Sequence, residues 1–250
     1  MRFATIEKSS ILDYSGNEAL NTICTNLSFS GRNIRKVVMT SCVPGEGKSF
    51  MAMQVMLNMA YRGKRCILVD VDLRRSYTLR RYGIRVEGEA LGVAHYLAGY
   101  CSLDDAVYET NIPGAYIMPV GRDVANPMPL IDSPFFAEML EILAGEFDLV
   151  LVDTPPIGAV VDSAVIAKNC DGTVMVVEYG QRRRSELKSA VEQMEQSGTP
   201  VLGCILNKVT FNTLTEKKYY KNSYYSHYGD KYGYYKKDNK DSTNADGAKK

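Results

Sequence analysis

The chain has 250 residues, is 45% hydrophobic and carries a formal net charge of +1. That is enough apolar material for one large domain with a substantial core. It has too few histidines (His95 and His227) for a zinc cluster. Its six cysteines contain no C-x-x-C pair, which points to reduced, mostly buried thiols and not to a disulfide framework. No apolar run approaches the ~18 residues of a transmembrane helix, and the N-terminus lacks the apolar core of a signal peptide.

In chain order, residues 1–34 are expected to open irregularly and continue as a helix over about Asn17–Phe29, with Leu20, Ile23 and Leu27 on one side. Lys36–Thr40 is the first core strand. It runs into Ser41-Cys42-Val43-Pro44-Gly45-Glu46-Gly47-Lys48-Ser49-Phe50, and a helix follows to about Arg62, where Gly63 stops it. Strand, glycine-rich loop and helix N-terminus together make a phosphate-binding loop. Gly45 and Gly47 let backbone N–H groups turn inward around phosphate oxygens. Lys48 adds a full charge, and Ser49 offers a hydroxyl oxygen to Mg²⁺. Cys42 stands where the usual pattern has its first glycine. Met51, Met53, Met56 and Met59 read as core filler.

The apolar run Cys66–Val69 is a strand covered on both faces, ending in Asp70-Val71-Asp72-Leu73-Arg74. Residues 76–110 read as a polar connection with a helix near Leu91–Leu97. Tyr116–Gly121 is a strand, and a helix spans about Pro134–Ala144. Leu149–Val152, ending in Asp153-Thr154-Pro155-Pro156, is a buried strand with the apolar-run-then-Asp form of a Walker B motif. A short helix at Ser163–Lys168, strands at 172–177 and 201–206, and a helix near Ser185–Gln196 complete the pattern. Strands alternating with helices predict an α/β, doubly wound, mostly parallel sheet of the P-loop NTPase kind. Its ligand would sit at the C-terminal strand ends. The domain reading is an N-terminal segment and helix over 1–34, a P-loop domain over 35–210 and a tail over 211–250.

The tail is of low apolar periodicity and is expected to be disordered. From Lys217 it has nine lysines against four aspartates, a net +5 that leaves −4 for the rest of the chain. Tyr219, Tyr220, Tyr224, Tyr225, Tyr228, Tyr232, Tyr234 and Tyr235 put eight of the 17 tyrosines into 17 residues. Interleaved tyrosine and lysine could stack on nucleic-acid bases. Beside a phosphate loop and three strand-end aspartates they are better read as phosphate acceptors, with no nucleic-acid partner.

The stretches at 41–49, 67–74 and 149–156, with the tyrosine cluster, resemble the bacterial tyrosine kinases of capsule and exopolysaccharide synthesis, the CpsD/CapB type. The likeness runs from about Glu18 into the tail and includes Thr25–Ser30, Gly121 through Asn126-Pro127, and Gly203–Val209. The resemblance implies an ATP-dependent, autophosphorylating protein-tyrosine kinase using Mg²⁺. It assigns Pro44 to Phe50 to nucleotide binding, with Lys48 on the phosphates and Asn207 where related ATPases contact the base. Ser49, Asp72 and Asp153 would serve Mg²⁺, Asp70 would be the base for the incoming tyrosine hydroxyl, and Asp72 would share the catalytic role. It further implies a cytoplasmic kinase recruited to the inner face of the plasma membrane by a transmembrane co-polymerase or modulator, self-association with phosphorylation in trans, and a cognate tyrosine phosphatase.

One departure stands out. The family's E-x-x-R-x-x-R helix motif, used for ring-like assembly, reads Glu18-Ala19-Leu20-Asn21-Thr22-Ile23-Cys24, without either arginine. Two other readings remain: a partitioning or positioning ATPase acting by nucleotide-dependent dimerisation, and a non-catalytic nucleotide-binding scaffold. The ATPases carry a signature lysine where this chain has Val43, and neither alternative accounts for the tyrosines.

Overall fold

The computed structural model describes residues 1–8, 12–74 and 76–210. The expected tail with its tyrosines, from Phe211 onward, lies outside them. Met1–Lys208 is one compact unit.

Its elements are β1 (Arg2–Ile6), α1 (Tyr14–Phe29), β2 (Lys36–Ser41), α2 (Lys48–Tyr61), β3 (Cys66–Asp70), α3 (Thr78–Tyr82), β4 (Ile84–Val86), α4 (Val93–Leu97), α5 (Leu103–Ala106), β5 (Tyr108–Thr110) and β6 (Ala115–Met118). There follow α6 (Met128–Ile131), α7 (Pro134–Glu146), β7 (Leu149–Asp153), α8 (Asp162–Ala167), β8 (Gly172–Glu178), α9 (Arg184–Glu195) and β9 (Val201–Asn207). The described strands form one sheet in the order β4-β1-β5-β6-β3-β7-β2-β8-β9. Most pairings are parallel; β1–β4 and β5–β6 are antiparallel.

The central strands are apolar at every position because both faces are covered. Val38, Ile67, Val69, Val150 and Val152 point into one core layer, against α7, α8 and α9. Val37, Met39, Leu68 and Leu151 point into the other, against α1 and α2. The α2 methionines Met51, Met53, Met56 and Met59 are buried in that second layer, as expected of core filler. Helix starts are capped locally: Asp13 Oδ1 accepts the Gly16 N–H at 2.7 Å for α1, and Ser133 Oγ accepts that of Phe136 at 3.3 Å for α7.

Two expectations are corrected. The opening residues are not irregular: β1 joins the sheet between β4 and β5, with Ala4 paired to Val86 on one side and Thr110 on the other. Nor is 76–110 a polar connection with a single helix, since it contains α3, β4, α5 and β5 as well as α4. The missed strands have three to five residues, so their own periodicity is too short to register, and β1 meets β4 and β5 only from a distant part of the chain.

Helix α1 explains how the chain does without the family's arginines. Asn21, at the first arginine position, accepts hydrogen bonds on Oδ1 from Asn58 Nδ2 at 3.1 Å and from Arg62 Nη2 at 3.1 Å, both on α2 and the turn after it. Cys24, at the second, is completely buried. Glu18 is exposed. This helix face is committed to the chain's own core. Restoring the motif with Cys24→Arg should therefore destabilise the fold by ~3 kcal/mol or more, because it buries an unpaired charge. Thermal denaturation checks this; a variant as stable as the parent would contradict it.

Candidate active site

The parallel register gathers the motifs at one end of the sheet. β3 and β7 align so that Asp70 lies beside Asp153, and β7 and β2 so that Met39 lies beside Asp153. The phosphate loop leaves β2 directly next to them. Val71 N–H donates to the Asp153 carbonyl at 2.8 Å, locking the two aspartate-bearing strand ends together. The turn after β7 closes on the loop's start: Gly158 N–H donates to the Cys42 carbonyl at 3.1 Å, and a Cβ at 158 would stand 2.3 Å from that oxygen.

The loop has the shape of an anion cradle. Gly45 and Gly47 have φ of +90° and +96°, in the left-handed region that favours glycine. A Cβ at Gly47 would also meet Asn207 Nδ2 at 2.2 Å. Cys42 needs no glycine, since Lys208 is the one non-glycine residue with positive φ among the described residues. The thiol is buried, and burial with Glu46 nearby pushes its pKa up to about 11, which keeps it neutral. Pro44 is exposed and has no N–H to offer. The N–H groups in the first turn of α2, from Lys48 to Phe50, have no intrahelical acceptor and point where an anion would sit. The Phe50 ring packs beneath the Arg81 guanidinium, 5.6 Å from it, so its part in the cradle is its backbone.

Lys48 is the hub. Its Nζ lies 3.3 Å from Asp72 Oδ2, 3.4 Å from Asp153 Oδ1 and 3.2 Å from Ser49 Oγ. Burial works against the ammonium, yet Asp153, Asp72 and Asp70 outweigh it and hold the pKa above the usual lysine value. Asp153 is 1% exposed, and burial raises its pKa, while Lys48 and the Ser49 hydroxyl act to lower it. Its Oδ2 has no hydrogen-bond partner, an unusual state for a buried carboxylate oxygen.

That orphan oxygen, the Asp72 carboxylate and the Ser49 hydroxyl suit a small hard cation that takes one or two carboxylates and completes its shell with water and phosphate. Among the described residues no group of three or more His, Cys, Asp or Glu forms a ready cage.

Asp70 is buried as well, at 2% exposure. Its Oδ2 accepts from Ser76 Oγ at 2.6 Å and its Oδ1 from the Asp72 N–H at 3.2 Å. Burial first and Asp153 second push its pKa up to about 7, against Ser76, Thr78 and Lys48. Asp72 is the more open of the pair, with 15% of its side chain accessible.

Asn207 ends β9 beside the loop, and its Nδ2 donates to the Glu46 carbonyl at 2.9 Å. The Glu46 side chain itself turns away from the cradle and is buried. Two further partners escaped the sequence reading. Ser76 holds Asp70, and Arg74 makes a two-point ion pair with Asp162 at the start of α8, at 2.8 and 3.2 Å. Arg74 belongs to the aspartate motif and so carried a signal; Asp162 carried none.

A family model described as an AAA domain matches residues 34–196. The chain is 39% identical over 223 residues to the tyrosine-protein kinase CpsD of Streptococcus agalactiae, which covers 89% of this chain and 91% of that protein. The chain belongs to the bacterial protein-tyrosine kinases of the CpsD type. Solved structures agree: the VpsO kinase domain matches with a TM-score of 0.68 at 29% identity, covering 80% of this chain and all of that one. The kinase domain of the Escherichia coli tyrosine kinase ETK matches with a TM-score of 0.71 at 25% identity, covering 78% of each chain. The cell-division ATPase MinD of Pyrococcus furiosus, at 22% identity and a TM-score of 0.59, shares the fold. As a CpsD-type kinase the chain has a nucleotide-binding P-loop domain, and the cradle around Lys48 is where that loop lies.

The raised pKa of Asp70 has a consequence for stability. With a folded value of about 7 against an ordinary 3.8, the folded state binds one more proton than the unfolded state between those limits. The stability from this group is full at low pH and is lost as pH rises through about 7. Asp70→Asn should flatten the pH dependence of the melting temperature across that window and raise it above the parent at pH 8. An unchanged slope would contradict the burial of an ionisable Asp70.

Proposed function

We propose that this kinase transfers the γ-phosphate of ATP, with Mg²⁺, to tyrosines of its own C-terminal tail, and that it thereby regulates synthesis and export of a capsular polysaccharide or exopolysaccharide. The observation that carries the chemistry is the Lys48 ammonium held between Asp72 and Asp153 at the mouth of the glycine cradle.

In this reading Lys48 leaves the two carboxylates for the phosphates when nucleotide enters. That frees Asp72, Asp153 and Ser49 to hold Mg²⁺, which supplies charge neutralisation on the phosphoryl oxygens. The loop amides and the α2 N-terminus hold the phosphates in place. Asp70 takes the proton of the incoming tyrosine hydroxyl; a carboxyl with a pKa near 7 is well matched to that task at neutral pH. Asp72 orients the hydroxyl and shares the metal. Asn207, at the loop's flank, is placed on the base by resemblance.

The acceptors proposed are Tyr219, Tyr220, Tyr224, Tyr225, Tyr228, Tyr232, Tyr234 and Tyr235. Each phosphate adds about −1.5 to −2 charge at neutral pH. Three or so would reverse the tail's +5 and turn a segment attracted to the acidic remainder of the chain into one repelled by it. Such a sign change suits a switch between associated and separate subunits, with a cognate phosphatase resetting it. No helix among the described residues is long and apolar enough to cross a membrane. We assign recruitment to the inner membrane face to a separate transmembrane modulator on the resemblance alone, as in the split arrangement of the family that the chain resembles. With α1 committed to its own core, self-association is proposed to depend on that partner and on the tails more than on the helix.

Three measurements test this. Lys48→Met should lower phosphotyrosine formation by ~100-fold or more without changing the circular dichroism spectrum; an undiminished signal would remove Lys48 from the reaction. Asp153→Asn should weaken nucleotide binding in the presence of Mg²⁺, whereas Asp70→Asn should bind nucleotide nearly normally and lose transfer. Near-full transfer by Asp70→Asn would move the base role to Asp72. For transfer between subunits, the Lys48→Met chain is mixed with an active chain lacking residues 211–250. Phosphorylation of the Lys48→Met chain is expected. Its absence, together with self-labelling of the intact kinase at a rate independent of concentration, would rule the trans route out.

A further inference from the structure

Glu46 stands in the middle of the phosphate loop, where a carboxylate facing the ligand would repel it. Its side chain is instead fully buried on the far side of the loop, next to the ends of β8 and β9. Oε2 accepts the Val43 N–H at 3.0 Å, across the loop's own neck. Oε1 accepts the Glu178 N–H at 3.4 Å and Arg182 Nε at 3.2 Å. The carboxylate is 0% exposed, whereas the Arg182 side chain is 28% exposed.

A second clasp lies alongside. Lys208 Nζ donates to the Gly45 carbonyl at 2.7 Å and to Glu178 Oε2 at 2.8 Å. Asn207 Nδ2 holds the Glu46 carbonyl. Two successive loop residues, Gly45 and Glu46, are therefore tied by their carbonyl or carboxylate oxygens to the ends of β8 and β9 and the residues that follow them.

We infer that Glu46 is a positioning residue, with Arg182 as its counterion: the pair latches the phosphate loop to the end of β8 and sets its binding shape. The inference rests on reading this loop as the phosphate cradle of the nucleotide.

The burial asymmetry makes the inference sharp. Losing Arg182 leaves a fully buried carboxylate with no opposite charge, a costly state relieved only if Glu46 swings out and drags the loop with it. Losing the Glu46 charge leaves an arginine that already reaches water. The two single variants should therefore differ. A phosphate-facing Glu46 would give the opposite pattern, since Glu46→Gln would remove a repulsion and tighten nucleotide binding.

The test uses the full-length chain. In the nucleotide-free protein, Arg182→Gln should speed amide hydrogen exchange across residues 43–48 and leave β7 unchanged. ADP affinity should fall about tenfold, in line with loss of one hydrogen bond to a charged group. The KM for ATP should rise to match while kcat changes by less than about twofold, because loop amides hold the phosphates equally in ground and transition states. Glu46→Gln should lose less, and the double variant Glu46→Gln, Arg182→Gln should recover most of what Arg182→Gln alone lost. Arg182→Lys should lie between parent and Arg182→Gln, and it carries the same comparison if Arg182→Gln does not fold.

Loop exchange and ADP binding unchanged in Arg182→Gln would overturn the inference. So would a Glu46→Gln defect as large as that of Arg182→Gln, a double variant no better than the single, or a fall in kcat at constant KM. The exchange measurement needs no nucleotide. A parent chain that failed to bind ADP would thus sink the nucleotide reading, while the exchange result still decided for or against the latch.

Discussion

Everything in this site turns on one ammonium among three carboxylates. Asp70, Asp72 and Asp153 converge at the C-terminal ends of β3 and β7, and Lys48 is the cation placed to offset them. Burial alone would drive the carboxylates toward protonation and the lysine toward neutrality. Their mutual attraction keeps Lys48 charged but does not suffice for the whole set, so buried Asp70, which lies beside Asp153 with no direct bond to Lys48, has a pKa of about 7. The nucleotide-free site is an under-compensated cluster with an unpartnered buried oxygen on Asp153. In the proposed mechanism a divalent cation would offset these carboxylates once Lys48 turns to the phosphates.

The sheet makes this convergence possible at small cost. Parallel strands deliver their C-terminal ends to one edge, and the buried faces of β2, β3 and β7 fix the register by core packing. The aspartates sit on the last residue of each strand or two beyond it, so positional precision in the core becomes positional precision in the site. The loop is anchored to the core by Cys42 and Val43 at its start and Phe50 at its end. It is held by polar ties to Gly158 on one flank and to Glu178, Arg182, Asn207 and Lys208 on the other.

Helix α1 shows how one family can spend the same helix differently. Where other members place arginines for assembly, this chain places Asn21 and Cys24, one bonded to α2 and the turn after it, the other sealed in the core. Glu18 stays exposed, while the two arginine positions serve contacts within this chain.

Sequence alone was sufficient for whatever is local. The strand-loop-helix signature, the apolar runs ending in Asp70 and Asp153, and the alternation of helices and strands from α7 onward all rest on contiguous residues whose pattern is their physics. The short strands β1, β4 and β5 were illegible because three to five residues are too few to show a period, and the pairings of β1 with β4 and β5 join segments far apart in the chain. The tertiary structure decided which way the side chains face and whom they meet. Glu46 sits inside the phosphate motif, so its place in the sequence suggested a nucleotide contact; the fold turns it to Arg182, 136 residues later. Asp70 and Asp72 look equivalent as a two-residue pair, and only packing buries one, gives it Ser76, and raises its pKa. Periodicity specifies an element and its buried face. It carries no information on the burial depth of a single carboxylate or on the partner that a distant segment brings, and those two quantities set the chemistry.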